Sequence, residues 1–531
     1  MDQLLGFVLA VLPILVIFVG LVVFKRSGTL MGVIGWILTL LLAVLFFNTG
    51  WDVALYASIA GVLASFGISL MVLFTILQVT MMDITGAIKS ITEFIKTIAA
   101  ERYEQIMLLN VGLGTFLVSI GATPVSMLPP IMIALGYSPL AAIALPALGY
   151  DPLTSFSLLA VPIKSPADAF GFNPNVLASN VALFLPVIST GISLGMLWVA
   201  DGWNGIKKGW IPAVLAGLTL GFSTILFVHF APSYLNITGV VAGLCAIVVL
   251  LLYRVVQGKP LFVKKDATAK AAADGGAVVA KMPLWRALSP WILLVLFCVI
   301  ISVPDVNKAL YNALGTTQKI HIVADQYIDL KLLTQAYVWV LVSTVISAPF
   351  LIRSSGELTK VLKVWAKRAW SPTVAAAIFF AIAYVMFWSA KTVAGGKLVF
   401  ADADASTINM NYVIGITLAT YIGALLFPLV SPLLGLFGGF VSGSETSSNV
   451  MFYNILKTAT TKLSLDQMQI FSGHAVAGGI ASGIAVAKIV NAAAVIDKIG
   501  IEGEVIRKSA LVIVLLTLVV GIMLWLWVTF L

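Results

Sequence analysis

One stretch of the chain is dense in groups that could do chemistry: Ser442-Gly443-Ser444-Glu445-Thr446-Ser447-Ser448-Asn449. Every residue in it except Gly443 carries a hydroxyl, carboxyl or amide, and apolar sequence lies on both sides. Serine and threonine at the start of a helix cap free N–H groups, and such an N-terminus attracts anions. Ser444, Thr446, Ser447, Ser448 and Asn449 are therefore candidates for holding an anionic substrate. Glu445 is the ionisable member. A carboxylate at membrane depth is costly and is a functional candidate by default. It takes up a coupling proton, ligates Na⁺, or is a loop carboxylate facing water.

A second cluster is Leu148-Gly149-Tyr150-Asp151-Pro152-Leu153-Thr154-Ser155. Proline disfavours helical geometry in the residue before it. Asp151 then sits beside unwound backbone, with Thr154 and Ser155 one turn on. It is either a coupling carboxylate or a buried N-cap. A less polar break, Gly121-Ala122-Thr123-Pro124-Val125-Ser126, offers backbone N–H groups together with Thr123 and Ser126, or is a plain kink. Near the C-terminus, Ser472-Gly473-His474 and Gly478 to Gly483 loosen another apolar run, and Lys488 and Asn491 follow on one helix face. Lys488 pairs with an anionic substrate or with Asp151 or Glu445, or else snorkels to the surface. His474 relays protons near neutral pH or lies at the outer mouth. Lys164, Asp168 and Asn173 read as an exposed loop.

There is no P-loop, no Gly-x-Ser-x-Gly and no metal-spaced His/Cys set. ATP-driven transport and hydrolysis lack residues to run on, so the chain is not expected to be an enzyme. No metal or cofactor is expected either. Cys245 and Cys298 read as free thiols within apolar runs.

These residues need elements to position them, and composition says which. Of the 531 residues 60% are hydrophobic and 10% charged, against roughly 25% charged in soluble domains. A water-soluble globule and a disordered chain are both excluded. Long uniform apolar runs predict an all-α polytopic membrane protein with about 12 transmembrane helices, not a β-barrel. The net charge of +9 gathers in short loops, which orients spans and does not signal nucleic acid. Spans are expected near 5–24, 29–47, 53–79, 139–163, 176–200, 210–228, 237–253, 287–303, 332–352, 372–390, 467–494 and 508–530. A flexible linker is expected over 254–286.

Basic residues near 102 and near 207 both belong inside, and two spans already separate them. The segments 105–120 and 124–136 must then cross nothing, which predicts a re-entrant hairpin over 105–136. Parity predicts a second, oppositely facing hairpin over 429–456, with 410–427 lying along the membrane as 84–100 does. Each hairpin precedes a broken helix, at 139–163 and at 467–494. The order of elements then occurs twice with inverted orientation, as repeats 1–200 and 287–531 joined by 201–286, and both termini fall outside. Inverted repeats with discontinuous helices mark secondary transporters, with the substrate at the breaks.

The segment Gly443 to Asn449, preceded by Leu436-Phe437-Gly438, resembles the Gly-Ser-Asp-Thr-Ser-Ser-Asn signature of the lactate permease family. Asp201-Gly202-Trp203-Asn204-Gly205-Ile206-Lys207 and Gly500-Ile501-Glu502-Gly503-Glu504 resemble further segments of that family. The resemblance implies a proton-coupled importer of L-lactate, D-lactate or glycolate. It also implies a wider group of ion transporters built on two inverted repeats, in which a hairpin-bearing domain moves against a scaffold as an elevator. Three stretches depart from the family pattern. Val118 to Pro124 lacks the family's glutamate at the first tip. Ser482 to Lys488 replaces Gly-Lys-Met-Ile-Ser-Pro-Gln, and Tyr150-Asp151 replaces an asparagine–threonine pair.

The expectation is a proton symporter for a small monocarboxylate, with Asp151, Glu445 and His474 as the proton-coupling candidates. The alternatives are Na⁺ coupling on the same fold and a non-transporting subunit of a proton-conducting complex. The expected setting is a prokaryotic plasma membrane. Lipid and the carboxylate are the partners, nucleic acid is not, and a homodimer is compatible with the layout.

Overall fold

A computed structural model describes residues 2–530 apart from 25, 27, 99–100, 122–123, 262–281, 403, 486–487, 490–491, 494–495, 497 and 499. Most of the linker expected over 254–286 lies outside the described residues. The apolar runs form helices, because a bilayer offers exposed backbone groups no partner. Nine helices among the described residues are long and apolar enough to cross a membrane, and Trp51–Ala64, Pro139–Gly149 and Ala336–Leu351 are shorter apolar helices. The chain is an integral membrane protein.

That count takes Pro174–Phe230 as one, but Asp201 and Gly202 (φ 57°, ψ −144°) leave helical geometry and divide it into two helices, near the expected spans 176–200 and 210–228. Trp51–Ala64 and Phe66–Ile84 follow one another through Ser65 and cross the 34-residue helix Ser355–Trp388. Gly28–Phe46 packs against Ser355–Trp388, while Ala336–Leu351 packs against Phe66–Ile84. Gln3–Val22 lies on Met410–Ser442, and Leu284–Ser302 lies on the amphipathic helix Ala87–Ile98. In that amphipathic helix Ala87 and Ile91 are buried while Lys89 is exposed, which is the pattern of a helix with one apolar stripe.

The first hairpin rises through Arg102–Ile106, a π-helical stretch Met107–Leu113 and Gly114–Ser119. It turns at Gly121 (φ 90°) and returns as Pro124–Ala134. The broken helix after it comprises Pro139–Gly149, a 3₁₀ turn Asp151–Phe156 and Ser157–Phe170. Leu158, Leu159 and Ala160 just beyond the break are all left-handed, with φ of 50°, 60° and 62°. L-residues pay about 1–2 kcal/mol each for that geometry, so the surrounding packing must enforce it.

The second hairpin ascends in Met410–Ser442, turns at Gly443 (φ 67°) and descends as Glu445–Leu463. The helix Gln467–Ala481 follows, then a 3₁₀ turn Ser482–Ile484, and Glu502–Phe530 is the last helix.

Two expectations need correction, and one boundary shifts. The chain is not purely helical: Lys319–Val323 pairs with Gln326–Asp329, and Lys391–Ala394 with Lys397–Phe400, as two small antiparallel ribbons. Short ribbons in connecting loops leave no trace in a reading built on long apolar runs. The segment expected over 410–427 ends earlier, at a break on Gly423 (φ 73°), and the hairpin arm runs from there to Ser442. Lys164 and Asp168 are not in a loop, because the broken helix runs on to Phe170. There the Lys164 ammonium donates to Asn236 Oδ1 at 2.8 Å, and Lys331 pairs with Asp168 at 2.5 Å. Asn173 caps the next helix through Asn175 N–H.

Candidate functional site

The two breaks and the second hairpin meet in the interior. Ser444 opens Glu445–Leu463 as its N-cap, accepting from the Ser447 N–H at 3.3 Å. Ser442 Oγ and the Ser444 backbone brace the turn. The first turn of this helix, from Glu445 through Asn449, is buried throughout. Close packing of Gly435 and Gly439 against the backbone of Gln467–Ala481 draws the arm in: a Cβ at Gly439 would lie 2.0 Å from Gly478 O. Small residues one turn apart let helix backbones approach in this way.

Glu445 reaches across to the other break. The Ser155 hydroxyl donates to Glu445 Oε1 at 2.6 Å, and Asn449 Nδ2 reaches the same oxygen at 3.4 Å. Asn449 also donates to Pro162 O at 3.0 Å, on the far side of the left-handed turn. Thr154 Oγ1 donates to Asp151 O at 2.9 Å and steadies the 3₁₀ turn.

Both carboxylates rest against glycines of the second break. A Cβ at Gly479 would meet Glu445 Oε2 at 2.6 Å, and one at Gly483 would meet Asp151 Oδ2 at 1.6 Å. Gly479 lies in the last turn of Gln467–Ala481 and Gly483 in the 3₁₀ turn after it. Residue types alone mark these glycines only as loosening the run; the small–x₃–small spacing is the signal that could have singled them out.

Lys488 completes the cluster. It is partly buried, donates to Ser482 Oγ at 2.8 Å and lies 5.4 Å from the Tyr150 ring centre. Its ammonium is thus turned toward the first break, where Tyr150 precedes Asp151. Asp151 has no side-chain hydrogen-bond donor, and both of its oxygens are buried. Glu445 Oε2, Thr446 Oγ1, Ser447 Oγ and Asn449 Oδ1 are likewise buried without a hydrogen-bond partner. Buried polar atoms in native proteins are ordinarily satisfied, so these oxygens make the cluster a candidate binding site.

The remaining candidates divide. His474 is fully buried and not at a mouth. Its Nε2 lies 3.2 Å from Ser448 Oγ, and its ring stacks on Phe471. Ser448 thus turns to His474 and away from Glu445's partners. The first tip packs Gly121 against Met71, Thr75 and Val340. Thr123 and Asn491 lie outside the described residues, as does the Ser126 side chain. No group of His, Cys, Asp and Glu fit to hold a metal occurs among the described residues.

Comparison with known proteins adds a second line of evidence. The L-lactate permease family profile matches residues 6–531. Glycolate permease GlcA of Escherichia coli K12 is 23% identical, the alignment covering 98% of this chain and 95% of that protein. An L-lactate permease of Streptococcus iniae is 25% identical over 86% of this chain and 92% of its own length. Among solved structures, the Alcanivorax borkumensis YdaH transporter superposes with a TM-score of 0.46 at 13% identity, covering 95% of this chain and 99% of that one.

Proposed function

Because this chain belongs to the L-lactate permease family, we propose that it is a secondary active transporter importing a small monocarboxylate by proton symport. The observation that carries the reading is the convergence of Asp151, Glu445 and Lys488 on two helix breaks, beside buried hydroxyls left without partners. A permease for a small organic acid needs an anion cradle and a group that titrates with it. The N-terminal turn Glu445 to Ser448 supplies free N–H groups and hydroxyls for the carboxylate. Lys488 supplies the positive charge.

Alternating access follows from the proposed symmetry. The pairing of Gly28–Phe46 with Ser355–Trp388 matches that of Ala336–Leu351 with Phe66–Ile84. Gln3–Val22 stands to Met410–Ser442 as Leu284–Ser302 stands to Ala87–Ile98. Such reciprocal contacts are what two inverted repeats produce. In this reading the crossed helices form a scaffold, and the hairpins with their breaks travel along it as an elevator in a prokaryotic plasma membrane.

A second reading keeps the fold and couples to Na⁺. It is favoured by the nature of the unpartnered atoms: carboxylate, amide and hydroxyl oxygens, all acceptors suited to a hard cation. The test is uptake of labelled L-lactate and glycolate by the purified protein in liposomes, under a pH gradient and under a Na⁺ gradient separately. Proton symport predicts accumulation with the pH gradient alone, and accumulation only with Na⁺ would replace it.

A further inference from the structure

Lys164 stands apart from the cluster at the two breaks, in the helix that follows the first of them. It is partly buried, and its ammonium donates to Asn236 Oδ1 at 2.8 Å. A carboxylate one turn away on the same helix is the natural partner of such a lysine. Here that carboxylate, Asp168, is paired with Lys331 at 2.5 Å instead. The acceptor on Lys164 is a neutral amide, and among the described residues it forms no ion pair. Its place in the fold is also telling. Asn449, in the buried turn of the second hairpin, donates to Pro162 O at 3.0 Å. Lys164 is two residues beyond Pro162, about 3 Å farther along the helix axis. Asn236 lies just before Thr238–Val256, and Arg254 is in the last turn of that 19-residue helix, about 28 Å away. Arg254 opens the basic segment 254–286, which the charge rule assigns to the cytoplasm. Asn236 and Lys164 then lie toward the outer face.

We propose that Lys164 is an outer capture site for the substrate: an incoming small monocarboxylate displaces Asn236 from the ammonium and passes from there to the turn Glu445 to Asn449. The exchange is downhill, because a charge-assisted hydrogen bond to a carboxylate is roughly twice as strong as one to a neutral acceptor. The flexible four-carbon stem lets the ammonium swing to a new partner. A cation at the outer mouth also raises the local concentration of anions, an effect that salt screens. The contact of Asn449 with Pro162 places the hairpin turn half a helical turn deeper, so the handover is short. Lys164 then governs how well the substrate is gathered and not how fast the loaded protein turns over. This rests on the reading of the chain as a monocarboxylate transporter, holds for either driving ion, and adds a recognition residue outside the breaks.

The test uses the full-length protein in bacterial cells that lack other uptake of L-lactate and glycolate, with both acids labelled. Lys164→Gln is expected to raise KM roughly tenfold, the loss of one charge-assisted hydrogen bond, with the maximal rate little changed. Higher external ionic strength is expected to raise KM of the wild type and to leave that of Lys164→Gln alone. Asn236→Ala removes the resting acceptor and keeps the charge, so it is expected to lower KM. Lys164→Cys treated with aminoethyl methanethiosulfonate regains an ammonium and is expected to regain a low KM, while the anionic sulfonatoethyl reagent does not restore it. Treated wild type is the control for Cys245 and Cys298. An unaltered KM in Lys164→Gln overturns the proposal. So does Asn236→Ala raising KM as far as Lys164→Gln does, which would make the pair structural. Where the variants at position 164 do not reach the membrane, the wild type decides: a KM indifferent to ionic strength overturns the proposal. Wild-type cells that take up neither acid overturn the monocarboxylate reading itself, a result distinct from all of these.

Discussion

The Ser155 hydroxyl stands 2.6 Å from Glu445 Oε1, joining residues 290 positions apart in the chain. It links the first helix break to the first turn of the second hairpin. Asn449 spans the same junction to Pro162 O. Two hydrogen bonds thus join the first break to the second hairpin, and relative motion of the two would have to break both.

Ser155→Ala removes a donor from a buried carboxylate oxygen. Leaving such an acceptor underserved costs about 1–3 kcal/mol. A lower melting temperature in detergent is expected, with initial uptake slowed several-fold or more. Unchanged melting and uptake together would show that the bond contributes nothing.

Gly483→Ala places a methyl where Asp151 Oδ2 now lies, with Ala147 O 2.7 Å away on the other side. Backbone on one side and a seated carboxylate on the other leave no room to relax. Near-complete loss of uptake is expected. Gly503→Ala, which meets nothing within 4 Å, is the matched control and should transport normally.

Arg254 and Glu104 form a pair 2.6 Å apart that is almost entirely buried, with Lys259 on the second Glu104 oxygen. The pair ties the foot of the first hairpin to the end of Thr238–Val256. Removing one partner of a buried pair typically costs about 3–5 kcal/mol. Arg254→Met should therefore lower the melting temperature strongly, and Arg254→Met with Glu104→Met should recover part of the loss. A double variant no better than the single one would contradict this account.

Lys331 and Asp168 join a connecting loop of the proposed scaffold to the end of the first broken helix at 2.5 Å, both about one-third exposed. A pair this exposed is worth only about 0–1 kcal/mol, so neutralising it should barely alter melting. Its position is the useful property. A reducible bis-thiol crosslinker that spans the length of the lost lysine side chain, joining Lys331→Cys to Asp168→Cys, should arrest transport if the hairpin domain slides past the scaffold, and reductant should restore it. Full uptake in the crosslinked protein would count against the elevator.

How much of this could be read from residues alone is uneven. Apolar run length identified a helical membrane protein, because a bilayer leaves exposed backbone no partner. Asp151-Pro152 and the polar run ending in Asn449 marked the two interruptions, because proline geometry and polarity in an apolar setting are local properties. The ribbons at Lys319–Asp329 and Lys391–Phe400 were missed, being short and set among loops. So was the extension of the broken helix through Lys164 and Asp168, whose charges look like loop residues until Asn236 and Lys331 are seen to meet them.

Which candidates share a site was decided only in three dimensions. His474 and Glu445 looked alike as titrating groups, yet Ser448 and Phe471 enclose the first while Ser155 receives the second. Gly479 and Gly483 had no chemistry to announce them, and they matter because their missing side chains seat two carboxylates. Helix formation and interruption follow from neighbours within a few residues, so the chain declares them. The meeting of Asp151, Glu445 and Lys488 depends on the crossing of distant helices, and packing in three dimensions sets that crossing.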